Sequence, residues 1–110
     1  MATKKLHDEL RDLGRFSEPA LLILISLADS PKHGYAMTQD IAVVSGQRLG
    51  PGTLYGAIAR LEERGWIEPL PAEDRRRPYR LTGAGQRVLK HRLESLRAVT
   101  RIGVSRLADA

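Results

Sequence analysis

The chain has 110 residues, no cysteine and a formal net charge of +5. This length favours a single domain, and the absence of cysteine excludes a disulfide framework, a thiolate metal site and a cysteine nucleophile. The longest apolar run, residues 20–25, is too short to cross a bilayer, and the first residues contain no hydrophobic signal segment, so we expect a cytoplasmic protein.

The first element is predicted as a dimerisation helix over residues 1–16. Leu6, Leu10 and Leu13 recur at i, i+4 and i+7, while the other faces of residues 3–15 are charged. A terminal helix with such a stripe docks either on its own domain or on a second copy of the chain.

Two helices of a central domain follow. Ser17 can cap the first, whose residues 20–28 are apolar on nearly every side, as in a buried central helix. Breaker residues at 29–31 end it, and the second helix is predicted over residues 34–44. The inward stripe of this second helix consists of Met37, Ile41 and Val44.

Residues 49–66 predict a helix with an unusually bare outer face. Pro51 fits the first helical turn, and Gly65 fits the position of a C-cap glycine. The inward stripe consists of Leu54, Ile58 and Leu61. An ordinary surface helix carries long charged side chains on its opposite face. Here that face carries Gly52, Gly56 and Ala59, with Glu63 only at its far end.

Two interpretations of this bare face are open. It can lie close against a large partner such as the major groove of DNA, which recognition helices enter with their N-terminal residues. Alternatively, Gly56 can permit a close contact between two helices inside the protein. Residues 46–80 carry 7 basic and 5 acidic side chains, and residues 81–110 carry 6 and 2. This basic excess suits a polyanionic partner, but it also suits simple solubility.

A hairpin with a basic tip is predicted next. Residues 66–70 and 79–81 contain aromatic and β-branched residues and alternate in polarity, as strands do. The turn-rich loop between them, residues 71–78, carries three consecutive arginines. Trp66 at the start of the first strand is interpreted as a core residue under the hairpin rather than as part of an aromatic ligand site.

The last element is predicted as a long helix that Thr82 caps. About 27 residues make a helix of about 40 Å, which overhangs a small domain. Part of its apolar seam therefore needs another partner, and a second copy of the chain is the simplest one. The seam residues are Leu89, Leu93, Leu96, Thr100, Gly103 and Leu107.

The predicted fold class is mainly α with a small β-hairpin, in the order of a winged helix-turn-helix domain with N- and C-terminal dimerisation helices. Across about residues 17–90, the sequence also resembles the PadR family of bacterial transcriptional regulators. The segments that carry this resemblance are His33-Gly34-Tyr35, Pro51-Gly52-Thr53-Leu54-Tyr55, Leu61-Glu62-Glu63-Arg64-Gly65-Trp66-Ile67, and Arg77-Pro78-Tyr79-Arg80-Leu81-Thr82 followed by Gly85.

The resemblance implies a homodimer that binds a palindromic operator in double-stranded DNA and usually represses transcription. It implies a dimerisation helix at 1–16, a DNA-binding domain at 17–81 and a single C-terminal dimerisation helix at 82–110, as in the short-tailed members. Some members bind aromatic or drug-like molecules near the dimer interface. A cytoplasmic, nucleoid-associated location is expected. The sequence departs from the common pattern at Gly56, where a larger residue or proline is frequent, and at Gly83, where an acidic residue is frequent.

In that family the helix that matches residues 51–65 enters the major groove, and the hairpin contacts the DNA backbone or the minor groove. The predicted DNA-contact residues are His33, Tyr35, Gly52, Thr53, Tyr55, Arg60, Arg75, Arg76 and Arg77. The predicted dimer-interface residues are Leu6, Leu10, Leu13, Leu89, Leu93, Leu96 and Leu107.

Each DNA contact has an ordinary structural alternative. Thr53 can be a simple helix cap, Tyr55 can pack partly into the core, and Arg60 can pair with Glu63 in the same helix. The arginine run can be a solvated loop, and His33 can have a structural role only.

The sequence predicts no enzyme, no metal and no cofactor. Its three histidines are scattered without metal-ligand spacing, and no phosphate-binding loop, nucleophile elbow or carboxylate pair is visible. The alternative function is a winged-helix protein–protein interaction module without sequence-specific DNA binding, because a fold does not fix a function. The salt dependence of DNA affinity separates the two functions.

Overall fold

The computed structural model describes residues 19–110, and its element order confirms the predicted winged-helix fold class. The predicted N-terminal helix, with Leu6, Leu10 and Leu13, lies outside the described residues. Among residues 19–110, no helix is both long and apolar enough to cross a membrane. The elements are α1 (Pro19–Asp29), α2 (Gly34–Ser45), α3 (Pro51–Glu63), β1 (Ile67–Pro69), β2 (Tyr79–Leu81) and α4 (Gly83–Asp109).

Helix α1 is the centre of the core, as its nearly uniform apolar composition predicts. It packs against α2, α3, α4 and β2. A helix with neighbours on all of these sides has no solvated face to fill with charged residues. The buried side chains of α1 include Leu22, Ile23, Leu24 and Leu27.

The inward stripes of α2 and α3 are buried largely as predicted. One residue that was assigned to the core is exposed, and one that was not assigned to it is buried. Met37 and Ile41 are buried, but Val44 is 55% exposed, so its assignment to the core is wrong. Val44 lies in the last turn of α2, where the neighbouring Val43 is also exposed, so this turn extends past the core. In α3, Ala57 is fully buried beside the predicted stripe of Leu54, Ile58 and Leu61.

The strands β1 and β2 form an antiparallel pair in which Ile67 lies opposite Leu81 and Pro69 lies opposite Tyr79. The sequence did not predict that Lys32 forms an isolated antiparallel bridge with Tyr79 in β2. The Lys32 amide donates to the Tyr79 carbonyl at 3.1 Å, and the Tyr79 amide donates to the Lys32 carbonyl at 3.0 Å. The hairpin is thereby joined to the segment between α1 and α2.

The Lys32 side chain strengthens this connection. It is 13% exposed, and its Nζ donates to the Ser26 carbonyl in α1 at 2.6 Å. Asp29 lies 3.5 Å from the same Nζ. Removing an ammonium group from water is costly unless polar groups of the protein replace the water. Here the Ser26 carbonyl and the Asp29 carboxylate do so.

Both turns around α3 require glycine. Helix α2 ends at Gly46 with φ +74°, and the chain leaves α3 through Gly65 with φ +75°. The Gly65 amide donates to the Glu62 carbonyl at 2.9 Å, and the Trp66 amide donates to the Leu61 carbonyl at 3.1 Å. These bonds form the Schellman motif, which satisfies the last carbonyls of the helix.

Helix α4 is 27 residues long, as predicted. The Thr82 hydroxyl accepts from the Gly85 amide at 3.0 Å, which confirms the predicted N-cap. Leu89 is 6% exposed and packs in the core of its own chain, so it is not available to a partner in the way that the predicted seam requires. From residue 90 onward every side chain of α4 is exposed.

Candidate nucleic-acid interface

The outer face of α3 is bare and points into open space. Gly52 and Ala59 are exposed, and a Cβ atom added at Gly52 or Gly56 would meet nothing within 4 Å. Within residues 19–110, Gly56 therefore does not serve a close helix–helix contact. Of the two sequence interpretations, the described residues therefore favour the one in which this face lies against a partner.

The N-terminus of α3 is also open. Its N-cap is Gly50, which provides no side-chain hydrogen bond, and Pro51 occupies the first turn. Thr53 is exposed and is not the cap, so the structural alternative for Thr53 does not apply. An uncapped helix N-terminus presents free N–H groups and a positive dipole, which favour an anion such as phosphate.

Arg60 lies on the exposed side of α3, two turns from its N-terminus. Among residues 19–110 it forms no ion pair, so the predicted alternative of pairing with Glu63 is not observed. Its guanidinium is therefore available for a base edge or a phosphate.

Tyr55 is exposed but contacts the neighbouring helix α2. It is 55% exposed, yet its ring lies against the backbone of Gly34. A Cβ atom at Gly34 would lie 2.5 Å from Tyr55 Oη and 2.9 Å from its Cζ. The ring thus contacts the start of α2 while much of its surface stays exposed, so Tyr55 remains a predicted DNA contact.

The hairpin ends in a tight turn that exposes its arginines. Glu73 and Arg76 are joined by two backbone hydrogen bonds of 2.7 and 2.8 Å. Between them Asp74 has φ +48° and Arg75 has φ +66°. Two successive positive φ values are typical of a type I′ turn, which usually contains asparagine or glycine.

His33 connects this hairpin to the N-terminus of α2. Its Nδ1 accepts from the Ala36 amide at 3.3 Å and so caps the helix. Its Nε2 lies 3.4 Å from Arg76 Nη1, so the imidazole at the start of α2 and a guanidinium of the hairpin are direct neighbours. A cationic guanidinium beside the N-terminus of a helix favours an anion such as phosphate.

Most of the predicted DNA-contact residues meet in one cleft of about 380 Å³ between α2, α3 and the hairpin. Gly52, Thr53 and Arg60 do not line it and lie along α3 instead. The cleft joins guanidinium, imidazole and phenol groups without a carboxylate in its lining. Its lining residues are His33, Gly34, Tyr35, Tyr55, Arg75, Arg76, Arg77 and Tyr79.

Two residues of this region were not predicted as contacts. Burial, and then the nearby Glu62 carboxylate, raise the pKa of Tyr79, although Arg77 opposes the shift. Tyr79 therefore stays a hydroxyl donor at neutral pH. Arg48 is exposed and, with Tyr35, lines a neighbouring cleft of about 260 Å³ at the turn before α3. The position of Arg48 directly before the bare helix was the signal in the sequence that could have identified it.

A second surface lies on α4. Leu93, Leu96 and Leu107 of the predicted dimer interface are 41, 37 and 78% exposed, and Val99 and Val104 are exposed beside them. Aliphatic side chains in a row on a protruding helix indicate a protein partner. Among residues 19–110, no group of three or more potential metal ligands occurs.

Comparison with known proteins agrees with this arrangement. Residues 23–91 match the transcriptional regulator PadR-like family. A transcriptional regulator from Mycobacterium tuberculosis is 38% identical over 84 residues, which cover 74% of this chain and 78% of that protein. A PadR family transcriptional regulator from Eggerthella lenta has a solved structure that superimposes with a TM-score of 0.67 at 27% identity, covering 99% of this chain and 96% of that one.

A longer relative contains a similar segment. An uncharacterized 37.1 kDa protein in a Streptomyces fradiae transposon is 48% identical over 82 residues, which cover 74% of this chain. The match covers only 24% of that protein. The chain therefore spans about a quarter of the length of this relative.

Proposed function

Because the chain belongs to the PadR-like family of transcriptional regulators, we propose that it is a homodimeric repressor that binds a palindromic operator. Each protomer contributes one α3 helix to one half of the operator. The observation that carries this proposal is the bare, exposed face of α3 beside a cleft lined with arginine, histidine and tyrosine.

Helix α3 reads the bases in this proposal. With glycine at residues 52 and 56 and alanine at 59, its backbone can approach the floor of the major groove closely. Thr53 and Arg60 then reach the DNA from its flanks. Arg60 is suited to a guanine edge, because its guanidinium has no partner among the described residues.

The cleft holds the phosphate backbone. Arg75, Arg76 and Arg77 on the hairpin supply charge, His33 and Tyr35 supply donors at the positive end of α2, and all of them line one cleft. Such contacts set the register of the protein on the duplex and make its affinity depend on salt.

Dimerisation proceeds through residues 82–110 together with residues 1–16, and residues 17–81 form the DNA-binding domain. The exposed aliphatic row of α4 supports this division, with Leu93, Leu96 and Leu107 as its proposed contacts. Leu89 is left out of the interface because it packs in its own core.

The proposal extends to the release of the operator by a small-molecule effector. A groove of about 340 Å³ between α1, β2 and α4 supports it, because aliphatic side chains line the groove together with the polar and charged side chains of Gln86, Lys90, Glu94 and Arg97. An effector that binds there lies against α4 and can change the dimer. Its expected signature is a lower operator affinity without loss of folded protein.

The experiment that tests the proposed function selects binding sites from random duplex DNA with the purified full chain. The enriched sequence should be an inverted repeat, and Arg60→Ala should lose about 1–3 kcal/mol on it while binding scrambled DNA as the wild type does. Enrichment of no sequence would contradict sequence-specific regulation. No DNA affinity even at low salt would favour a protein-interaction module instead.

A further inference from the structure

Helices α3 and α4 are joined through a short junction formed by residues 65, 66, 82 and 85. The Thr82 hydroxyl donates to the Gly65 carbonyl at 2.7 Å, and the Thr82 amide donates to the Trp66 carbonyl at 3.1 Å. Gly65 and Trp66 are the two residues through which the chain leaves α3, and Thr82 is the N-cap of α4. The two residues that follow the end of α3 are thus hydrogen-bonded to the N-cap residue of α4.

The Thr82 hydroxyl serves both helices at once. It accepts from the Gly85 amide at 3.0 Å while it donates to the Gly65 carbonyl. A hydroxyl has one proton to donate and lone pairs to accept with, so one side chain connects the end of α3 to the first turn of α4. An ordinary N-cap needs only the acceptor role.

Gly85 holds the two backbones in close contact. A Cβ atom at Gly85 would lie 2.0 Å from the Trp66 carbonyl oxygen and 2.8 Å from Leu81 Cδ1. No other residue type therefore fits without moving α4 away from the strand that follows α3. Because the two backbones lie this close, the distance between the Thr82 hydroxyl and the Gly65 carbonyl can vary only a little.

We propose that Thr82 is a positioning residue that fixes the direction of α4 relative to α3 and thereby selects the spacing between operator half-sites. This inference rests on the proposed dimeric DNA binding. In such a dimer, the two α4 helices set the distance between the two α3 helices. Because α4 is about 40 Å long, a rotation of about 5° at the junction moves its far end by about 3.5 Å. That shift is close to the rise of one base pair, about 3.4 Å.

Three substitutions at one position separate capping from bridging. Thr82→Ser keeps both roles of the hydroxyl. Thr82→Asp keeps a good N-cap acceptor for the Gly85 amide but has no proton to donate to the Gly65 carbonyl. Thr82→Ala loses both roles. The comparison of the Ser and Asp variants therefore isolates the bond to α3 from the stability of α4.

The first measurement follows the angle of the junction directly and needs neither DNA nor a dimer. The chain has no cysteine, so Ala59→Cys in α3 and Ala98→Cys in α4 place spin labels at two exposed alanines. Labelled chains are diluted in unlabelled protein so that only the distance within one chain is measured. We expect one narrow distribution for wild type and Thr82→Ser, and a broader or shifted one for Thr82→Asp and Thr82→Ala. Identical distributions in all four proteins would overturn the proposal.

The second measurement tests the effect on DNA. Affinity is measured on operators whose half-sites are moved apart or together by one and two base pairs, and on an isolated half-site. Wild type and Thr82→Ser should prefer one spacing at least tenfold, whereas Thr82→Asp should lose or shift this preference while keeping its half-site affinity. If a Thr82 variant lost the same affinity on every operator and on the half-site, Thr82 would have no role in spacing. Its role would then be structural only.

The two measurements distinguish the inference from the proposed function. If wild type selects no DNA sequence, the proposed function fails and the spacing role fails with it. The distance distributions would still show whether the Thr82 hydroxyl fixes the junction. If wild type binds its operator but all Thr82 variants keep the same spacing preference, only the inference fails.

Discussion

Gly56 makes α3 less stable, and no contact among residues 19–110 offsets this loss. An interior glycine makes a helix less stable than alanine by about 1 kcal/mol. In a close-packed helix pair this loss is offset by contact, but a Cβ atom at Gly56 would meet nothing within 4 Å. The residue therefore has the character of a functional position, where stability is given up for access to a partner.

Gly56→Ala should separate stability from function. We expect the free energy of unfolding to rise by about 0.5–1 kcal/mol, because helix propensity improves and no clash arises. Operator affinity should fall, because the new methyl group holds the backbone away from the bases. Denaturant unfolding and fluorescence anisotropy measure the two effects. Ser105→Ala, at an exposed position of α4, is the control that improves helix propensity and leaves DNA binding unchanged.

Arg75, in the hairpin turn, is a second residue that is unfavourable for stability. Its φ of +66° disfavours any residue with a Cβ atom, and glycine is the usual residue in such a turn. An arginine in this conformation is consistent with the proposed contact between its side chain and a phosphate.

Arg75→Gly should stabilise the domain by about 1 kcal/mol and weaken its binding to all DNA sequences equally. The slope of log affinity against log salt should become shallower by about one unit, since one phosphate contact is lost. Arg75→Lys keeps the charge and is the control for affinity. A glycine variant that binds with the wild-type salt slope would show that Arg75 is only a solvated side chain.

At the scale of elements, Lys32 connects the hairpin to α1 and to the segment before α2. The strands have three residues each, whereas Lys32 adds two backbone hydrogen bonds to Tyr79 and reaches Ser26 in α1. Arg80 and Glu68, paired across the hairpin, are both exposed to solvent. The Lys32 contacts should therefore contribute more to stability than the Arg80 ion pair does.

Lys32→Met should lower the free energy of unfolding by about 1–3 kcal/mol, because the Ser26 carbonyl loses a charged donor. Arg80→Met is the matched control, and it should cost less than about 1 kcal/mol because exposed ion pairs contribute little. Denaturant titrations of both variants measure the difference. Equal losses would mean that the Lys32 side chain does not anchor the hairpin.

The elements themselves could be predicted from the sequence because each has local signals. Pro51 and Gly65 bound α3, Thr82 caps α4, and apolar periodicity identifies the inward stripes of α2 and α3. The errors arose where a side chain's environment depends on distant residues. Val44 has the period of a core residue but lies beyond the neighbours of α2, and Lys32 joins the sheet through residues far along the chain.

The candidate site was predictable in part for the same reason. The arginine run and the bare face of α3 are local features, so the sequence reveals them directly. The meeting of His33, Tyr55 and the hairpin in one cleft depends on tertiary packing, and so does the half-burial of Tyr79. No periodicity in the sequence separates Leu89, which packs inward, from Leu93, which is exposed one turn later.

At the scale of the whole molecule, α4 makes the protein elongated. The principal extents are 52 × 33 × 20 Å, and every side chain of α4 beyond residue 89 is exposed. Exposed Leu93, Leu96 and Leu107 are unfavourable in water unless a partner covers them. A second copy of the chain presents the same row, which suits a symmetric interface.

Replacing both Leu93 and Leu96 by Glu should convert the dimer to a folded monomer, because the charges would be buried without partners at the interface. Affinity for the full operator should then fall to that of an isolated half-site. Light scattering and anisotropy measure these changes. Ala98→Glu, on the polar face of the same helix, should remain dimeric; a wild-type protein that is already monomeric at micromolar concentration would contradict the proposed interface.

The central claim is that a dimer of this chain recognises one DNA sequence through α3 and holds its backbone through the cleft. The most direct test compares affinity for the selected inverted repeat and for a scrambled duplex of equal composition, from low to physiological salt. Both affinities should fall with salt, while the selected duplex stays favoured by roughly 10³-fold or more with two protomers bound per operator. Two curves that coincide at every salt concentration would contradict the claim.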